Sequence, residues 1–216
     1  MTPPGTVVVG AIGSWVPGIS AVAYPEGTGS QVRAGALAVI QVHYNLAGGA
    51  DPDRTRFEVS LAPAGADRAP LRGLTMRHRT LDIAPGVERA EFSATKTADE
   101  WMRSPFADGD GYIVSATAHA HLLGIEMTLL HNGEPVLHIP RWDFHWQGRY
   151  FLREPIRFEN TDEFEIRCVY NNSDSYRTSQ GLGPSQWVTW GEGTEDEMCL
   201  GGFQVVDELP DVLDEP

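Results

Sequence analysis

Hydrophobic positions along the chain alternate with polar ones in short runs, and no segment sustains an apolar period of 3.6 residues. In extended backbone, residues two apart share a face, so short alternating runs predict half-buried strands. Strands are predicted at Thr6–Val9, Leu37–Tyr44, Arg56–Ala62, Ala90–Ala94, Gly111–His121, Ile125–His131, Pro135–Ile139, Glu163–Tyr170 and Phe203–Val206. Asn132-Gly133, set between two apolar runs, is the signal of a two-residue type I′ hairpin. With 23 glycines and 15 prolines as punctuation, the pattern predicts an all-β chain, an antiparallel β-sandwich of jelly-roll-like kind. The stretch A-G-G-A-D-P-D-R (47–54) reads as a linker, and the residues before it are too few for an independent β core. The acidic D-E-L-P-D-V-L-D-E-P reads as a frayed end.

The strand predicted at Gly111–His121 has two different faces. Tyr112, Val114, Ala116, Ala118 and Ala120 form the core-like one; Ile113, Ser115, Thr117, His119 and His121 form the other. His119 and His121 therefore project side by side. By itself an H-x-H on a strand reads more simply as a solvated polar edge than as a metal site.

Composition narrows the classes. A chain of 216 residues, 41% hydrophobic, buries a sizeable core. A formal charge of -14 excludes a nucleic-acid partner and an anionic membrane surface, because no basic stripe offsets phosphate. The apolar runs are too short to span a bilayer. M-T-P-P-G-T-V-V-V-G lacks the basic region and long apolar core of a secretory signal. Cys168 and Cys199 leave three possibilities: one bridge, reduced core residues, or exposed thiols. By composition alone the reduced core pair is the commonest of these. Bridged, they would fasten the Met198 loop to the strand ending at Tyr170, for about 3–4 kcal/mol of chain entropy.

Met198 stands in E-D-E-M-C-L-G-G-F (195–203), an odd setting for a core thioether. The acidic trio before it reads most simply as a solvated loop. Two imidazoles plus one thioether suit copper in both redox states, whereas structural zinc takes four His or Cys ligands. The aromatic R-W-D-F-H-W-Q-G-R-Y (141–150), between the copper motifs, is a candidate lining of the site, though it reads more simply as β core with a long crossing loop. His138 and His145 have supporting or surface roles, and nothing in the sequence ties Tyr170, Asn171 or Asn172 to the histidines.

Taken in order, H-A-H-L-L-G, R-C-V-Y and W-G-E-G-T-E-D-E-M-C resemble the copper type II, ascorbate-dependent monooxygenases, the family of peptidylglycine α-hydroxylating monooxygenase and dopamine β-monooxygenase. The likeness covers the family's C-terminal domain over about residues 48–210. Upstream, S-W-V-P-G, Y-P-E-G-T-G and I-Q-V-H-Y-N resemble the final third of its N-terminal domain. This implies a division into 1–47, the tail of the N-terminal copper domain, and 48–216, a C-terminal copper-binding β-sandwich.

The resemblance also implies roles. His119, His121 and Met198 match the ligands of the copper that binds dioxygen, and Cys168 and Cys199 match a family disulfide. His43 matches one ligand of a second copper that stores an electron from ascorbate. That site's other ligands are an adjacent His-His pair, which this sequence does not contain, so His43 is expected to stand alone. The implied activity is hydroxylation of a C–H bond in a small-molecule substrate, with dioxygen and a reductant such as ascorbate. The alternative is a copper-binding module without hydroxylase activity, and a metal-free recognition sandwich is a third class. Where peptide-hydroxylating members carry an Arg that grips the substrate carboxylate, this chain has Thr117; Leu200 and Gly202 replace their substrate-contacting Asn and Tyr. A peptidylglycine substrate is therefore not expected. A disulfide beside a copper ligand places the protein in the periplasm or outside the cell.

Overall fold

A computed structural model describes residues 12–44, 49–102 and 110–214. Eight strands carry the architecture: β1 Arg72–His78, β2 Ala90–Thr97, β3 Asp110–His119, β4 Gly124–His131, β5 Glu134–Ile139, β6 Arg149–Glu159, β7 Glu163–Tyr170 and β8 Cys199–Val206. They form two four-stranded sheets, β1-β8-β3-β6 and β2-β7-β4-β5, with every neighbour antiparallel. Successive strands cross between the sheets except at the β4–β5 hairpin, which is the winding of a jelly roll. The predicted sandwich is the observed fold.

Alternation explains the core. Leu74, Met76, Ile113, Ala116, Phe203 and Val205 of one sheet meet Met127, Leu129, Phe164 and Ile166 of the other, all buried. Each fully buried large side chain contributes roughly 1.5–3 kcal/mol. Phe164 bridges the layers, its ring 5.5 Å from both Phe158 and Phe203. The β4–β5 hairpin turns at Asn132 (φ 49°) and Gly133 (φ 81°), the two positive angles of a type I′ turn. Cys168 in β7 is disulfide-bonded to Cys199 at the start of β8, Cα atoms 5.8 Å apart, so the bridge joins the two sheets.

Several sequence expectations change. In β3 the two faces exchange at a bulge: Ser115 pairs with Gln204 and Ile113 with Val205, leaving Val114 as the extra residue. Ile113 thus points into the core where Tyr112 was expected, and beyond the bulge Ala116 and Ala118 take the inward positions. β3 also ends at His119, so His121 lies past the strand. Leu37–Tyr44 and Arg56–Ala62 are not strands: Leu37 is 86% and Leu61 79% exposed, with no neighbouring strand to complete a ladder. The prediction at Thr6–Val9 lies outside the described residues.

β1 and β6 were not predicted. β1 alternates only through Leu74 and Met76 between glycine, threonine and arginines. β6 carries Pro155 and five charged residues. It is an edge strand, irregular against β3 between the pairs Ile113–Ile156 and Ser115–Phe151, where a proline is tolerated.

Between residues 12 and 68 the described chain is almost without regular structure. It touches the sandwich where Thr28–Gly29 pairs in parallel with Ala69–Pro70, and where Pro17 meets the loop before β6.

Candidate metal centre

Three segments converge at one end of the β1-β8-β3-β6 sheet: the end of β3 with the turn to Gly124, the loop 141–148, and the loop 191–198. His119 stands on the outer face of that sheet, opposite Leu200 of β8. Past the end of this ladder, His121 is tied to the Met198 segment through its backbone N–H, which donates to the carboxyl of Glu197 at 2.8 Å. The two rings lie edge to face, centroids 5.2 Å apart. The predicted side-by-side histidines are present, half-buried in the case of His119 and buried in that of His121.

Each ring is oriented through one nitrogen. His119 Nδ1 lies 2.7 Å from Gln147 Oε1, and the Gln147 Nε2 donates to the Phe144 carbonyl at 2.9 Å. With its amide nitrogen so committed, Gln147 presents only an acceptor to the ring, and His119 Nδ1 carries the proton. His121 Nδ1 lies 2.8 Å from the Asp196 carbonyl, which can only accept. Each Nδ1 thus faces an acceptor oxygen, which favours the Nδ1–H tautomer and leaves Nε2 as the basic nitrogen, the form a metal ligand needs; the Gly193 carbonyl also bonds the His121 ring. Burial lowers the pKa of both; for His119 the Gln147 bond opposes the shift and neighbouring His121 adds to it, while for His121 the Asp196 carbonyl opposes it.

The Met198 backbone is fixed by two buried groups. Glu197 is fully buried, and its carboxyl accepts from the backbone N–H groups of His121 (2.8 Å), Leu123 (2.6 Å) and Met198 (3.2 Å). One side chain thus ties the loop bearing Met198 to the turn bearing His121. Burial pushes this carboxyl up to about 8, against the pull of those N–H donors and that of Gly124. Tyr170 donates its hydroxyl to the Met198 carbonyl at 2.7 Å, and burial, with Glu197 nearby, raises that phenol well above its usual range. Next along the chain, Cys199 is anchored by the disulfide.

The acidic trio is therefore no uniformly solvated loop: Glu195 is exposed, Asp196 half-buried and Glu197 enclosed. Segment 141–150 is likewise a wall of this site rather than remote core. The buried Trp142 donates to the His121 carbonyl at 3.3 Å, and Phe144 stands edge-on to the His121 ring at 6.1 Å. Glu197, Gln147, Trp142 and Phe144 went unassigned in the sequence. The dense aromatic composition of 141–150 signalled the last three, and nothing in the sequence signalled Glu197.

Other candidates lie elsewhere. His43 is exposed, its ring 2.7 Å from the Gln41 amide nitrogen two residues away, and it does not join His119 and His121. His138 pairs with Glu126 on the surface and His145 with Asp143. Asn172 is buried under the short helix Asp174–Ser179, where it accepts from the buried Arg177. Among the described residues no group of three or more His, Cys, Asp and Glu side chains converges to hold a metal. A metal at His119 and His121 would need its next protein ligand from another donor type, and the thioether candidate is Met198, which follows the Glu197 tied to the His121 backbone. Two imidazoles and a thioether would fit copper, for which both are suitable ligands.

A family model described as "Copper type II ascorbate-dependent monooxygenase, C-terminal domain" matches residues 73–201, more than half of the chain. The match contains His119, His121, Cys168, Met198 and Cys199, and His43 lies outside it. No curated protein matches the sequence. Among solved structures, the crystal structure of dimeric latent PorU from Porphyromonas gingivalis aligns at 12% identity with a TM-score of 0.23, covering 68% of this chain and 14% of that one. A likeness that loose carries no argument.

Proposed function

Because this chain belongs to the copper type II ascorbate-dependent monooxygenase family through its C-terminal domain, we propose that His119, His121 and Met198 hold the copper at which a C–H bond of a small-molecule substrate is hydroxylated. The observation that carries this reading is the pair of imidazoles, centroids 5.2 Å apart, each with its Nδ1 against an acceptor oxygen, so that Nε2 is the basic nitrogen of both rings. Copper, when bound, supplies the redox chemistry that activates dioxygen, with ascorbate or a similar reductant as electron source.

The chain's own residues do the rest. Gln147 and the Asp196 carbonyl hold the imidazole protons on the nitrogens away from the metal. Glu197, Tyr170 and the disulfide set the position of Met198 before any metal arrives, which a weakly held sulfur ligand requires. A thioether favours the reduced metal, while imidazole accepts either state.

On the outer face of the same sheet, register places Thr117, Gly202 and Thr75 in the row next to His119, flanked by Arg149. This floor of small side chains beside the ligands is the natural seat for a substrate. Thr117 donates to the Gly148 carbonyl at 3.1 Å, so it braces the loop entering β6 rather than presenting a charge.

One observation favours a second reading, a copper-binding module without hydroxylase activity: His43 bonds within its own segment, apart from the His119–His121 pair. In the first reading residues 1–47 are the tail of a domain that completes an electron-storing site. The disulfide argues for an oxidising compartment, periplasmic or extracellular. Among the described residues no helix is long and apolar enough to cross a membrane.

The test is copper content after loading and desalting, with Cu(I) affinity from competition against a chelator, for wild type, His119→Ala and Met198→Ala. One tightly held copper per chain, with Cu(I) weakened in both variants, supports the site. Unchanged binding in His119→Ala refutes it. Consumption of ascorbate and dioxygen coupled to a hydroxylated product separates the enzyme from the metal-binding module.

A further inference from the structure

Gln147, whose side chain orients His119, is itself held from the far end of the chain. The Val16–Ile19 turn lies on the loop before β6, where the Gln147 backbone N–H donates to the Pro17 carbonyl at 3.0 Å. Gly18 has φ +89°, and a Cβ there would lie 2.8 Å from Trp146 Cα, 2.9 Å from Gln147 N and 2.9 Å from the His145 carbonyl oxygen. All three are backbone atoms, so nothing flexible can give way; only glycine lets the two chains lie this close. A second attachment secures the segment, where Ala69 N–H donates to the Gly27 carbonyl and Leu71 N–H to that of Gly29, both at 2.9 Å. Between the two attachments Tyr24 donates to the Ile12 carbonyl at 3.2 Å and lies near Arg149, whose pKa burial lowers against the opposing effect of Tyr24. Residues 16–29 thus form a strap attached at the loop before β6 and again just ahead of β1.

We infer that the Pro17–Gly18 turn is a positioning element for His119: it fixes the Gln147 backbone, so that Gln147 holds the imidazole as the Nδ1–H tautomer with Nε2 turned toward the metal. This rests on reading His119 as a copper ligand, yet its physical content is visible without metal. Partners of this kind, one step removed from a metal, are worth roughly ten- to a hundredfold in affinity.

The experiment compares wild type, Gly18→Ala, Gly29→Ala and Gln147→Ala as full chains. Gly29→Ala is the control within the strap, because its Cβ would meet nothing within 4 Å and its φ is ordinary. The first readout is the His119 tautomer in metal-free protein at mildly alkaline pH, from long-range proton–nitrogen correlation of the ring. Wild type and Gly29→Ala are expected to show a single Nδ1–H form, and Gly18→Ala and Gln147→Ala a mixture. The second is Cu(I) affinity, expected to fall about ten- to a hundredfold in Gly18→Ala and Gln147→Ala, with no further loss when the two are combined. Thermal unfolding of Gly18→Ala close to wild type keeps the comparison local, since the strap lies outside the sandwich. A pure Nδ1–H His119 in Gly18→Ala overturns the inference. Unchanged copper binding in His119→Ala would instead remove the ligand assignment, a separate outcome, because the tautomer is read without copper.

Discussion

Replacing Glu197 by Gln tests the tie on which the site depends. In the folded chain both carboxyl oxygens accept: Oε1 from Leu123 N–H, and Oε2 from the N–H groups of His121 and Met198. A carboxyl accepts at both oxygens in either protonation state, whereas an amide accepts at one only. In Glu197→Gln at least one backbone donor therefore loses its acceptor, and the new amide nitrogen faces N–H groups. Each orphaned buried donor costs about 1–3 kcal/mol, so the variant is expected to lose about 2–6 kcal/mol. The pH dependence has a definite sign. The folded carboxyl is raised from 4.5 to about 8, so the unfolded chain releases its proton first, and this group's contribution to wild-type stability falls as pH rises through that window. Glutamine does not titrate. The gap between the proteins is accordingly widest near pH 4.5 and narrows toward 8. The assay is urea unfolding of metal-free, disulfide-intact protein followed by tryptophan fluorescence, at several pH values and with m compared throughout. A gap under about 0.5 kcal/mol at the acid end, or one that widens with pH, would refute the reasoning.

Three further outcomes follow from packing and cross-linking. Reducing the Cys168–Cys199 bridge, which spans 31 residues, is expected to cost about 3–4 kcal/mol in urea unfolding and to weaken Cu(I) binding through Met198; identical midpoints for the oxidised and reduced chains would contradict this. Gly124→Ala would place a Cβ 2.8 Å from Ala120 Cβ and 2.9 Å from Trp142 Cδ1, so a loss of about 1–3 kcal/mol and a changed Trp142 emission are expected. Asn172→Ala removes a side chain that donates to the Ala84 and Gln186 carbonyls at 2.9 and 2.8 Å and accepts from buried Arg177, with an expected loss of about 2–4 kcal/mol by calorimetry. A thermal midpoint unchanged in either glycine or asparagine variant would show that the contact is not holding the fold.

Sequence patterning reached the strands that alternate cleanly. Glu163–Tyr170 agrees end to end with β7, and Asn132-Gly133 is the turn it was read to be. It failed where alternation misleads. Leu37–Tyr44 has the pattern of a strand, but an alternating segment becomes one only with a neighbour to hydrogen-bond and a layer to bury against, and those lie outside any local window. The reverse holds for β6, whose charges and Pro155 conceal an edge strand supported by β3. The bulge at Val114 moved Tyr112 and Ile113 to faces opposite those expected, because one extra residue reverses the order of a period-two pattern.

At the site, spacing brought His119 and His121 side by side and Met198 stood out by its odd setting, while their reading as ligands came from the family resemblance. Their supports did not show. Glu197, Gln147 and the Asp196 carbonyl act on groups 28 to 76 positions away, several of them backbone atoms, and no sequence pattern records such partners.

The most direct measurement is X-ray absorption at the copper edge of the Cu(I)-loaded chain, recorded for wild type and for Met198→Leu. Imidazole scattering from two rings together with one sulfur scatterer, the sulfur absent from the Met198→Leu spectrum, is the result expected of copper on His119, His121 and Met198. A wild-type spectrum without sulfur, or a sulfur contribution that survives in Met198→Leu, would contradict it.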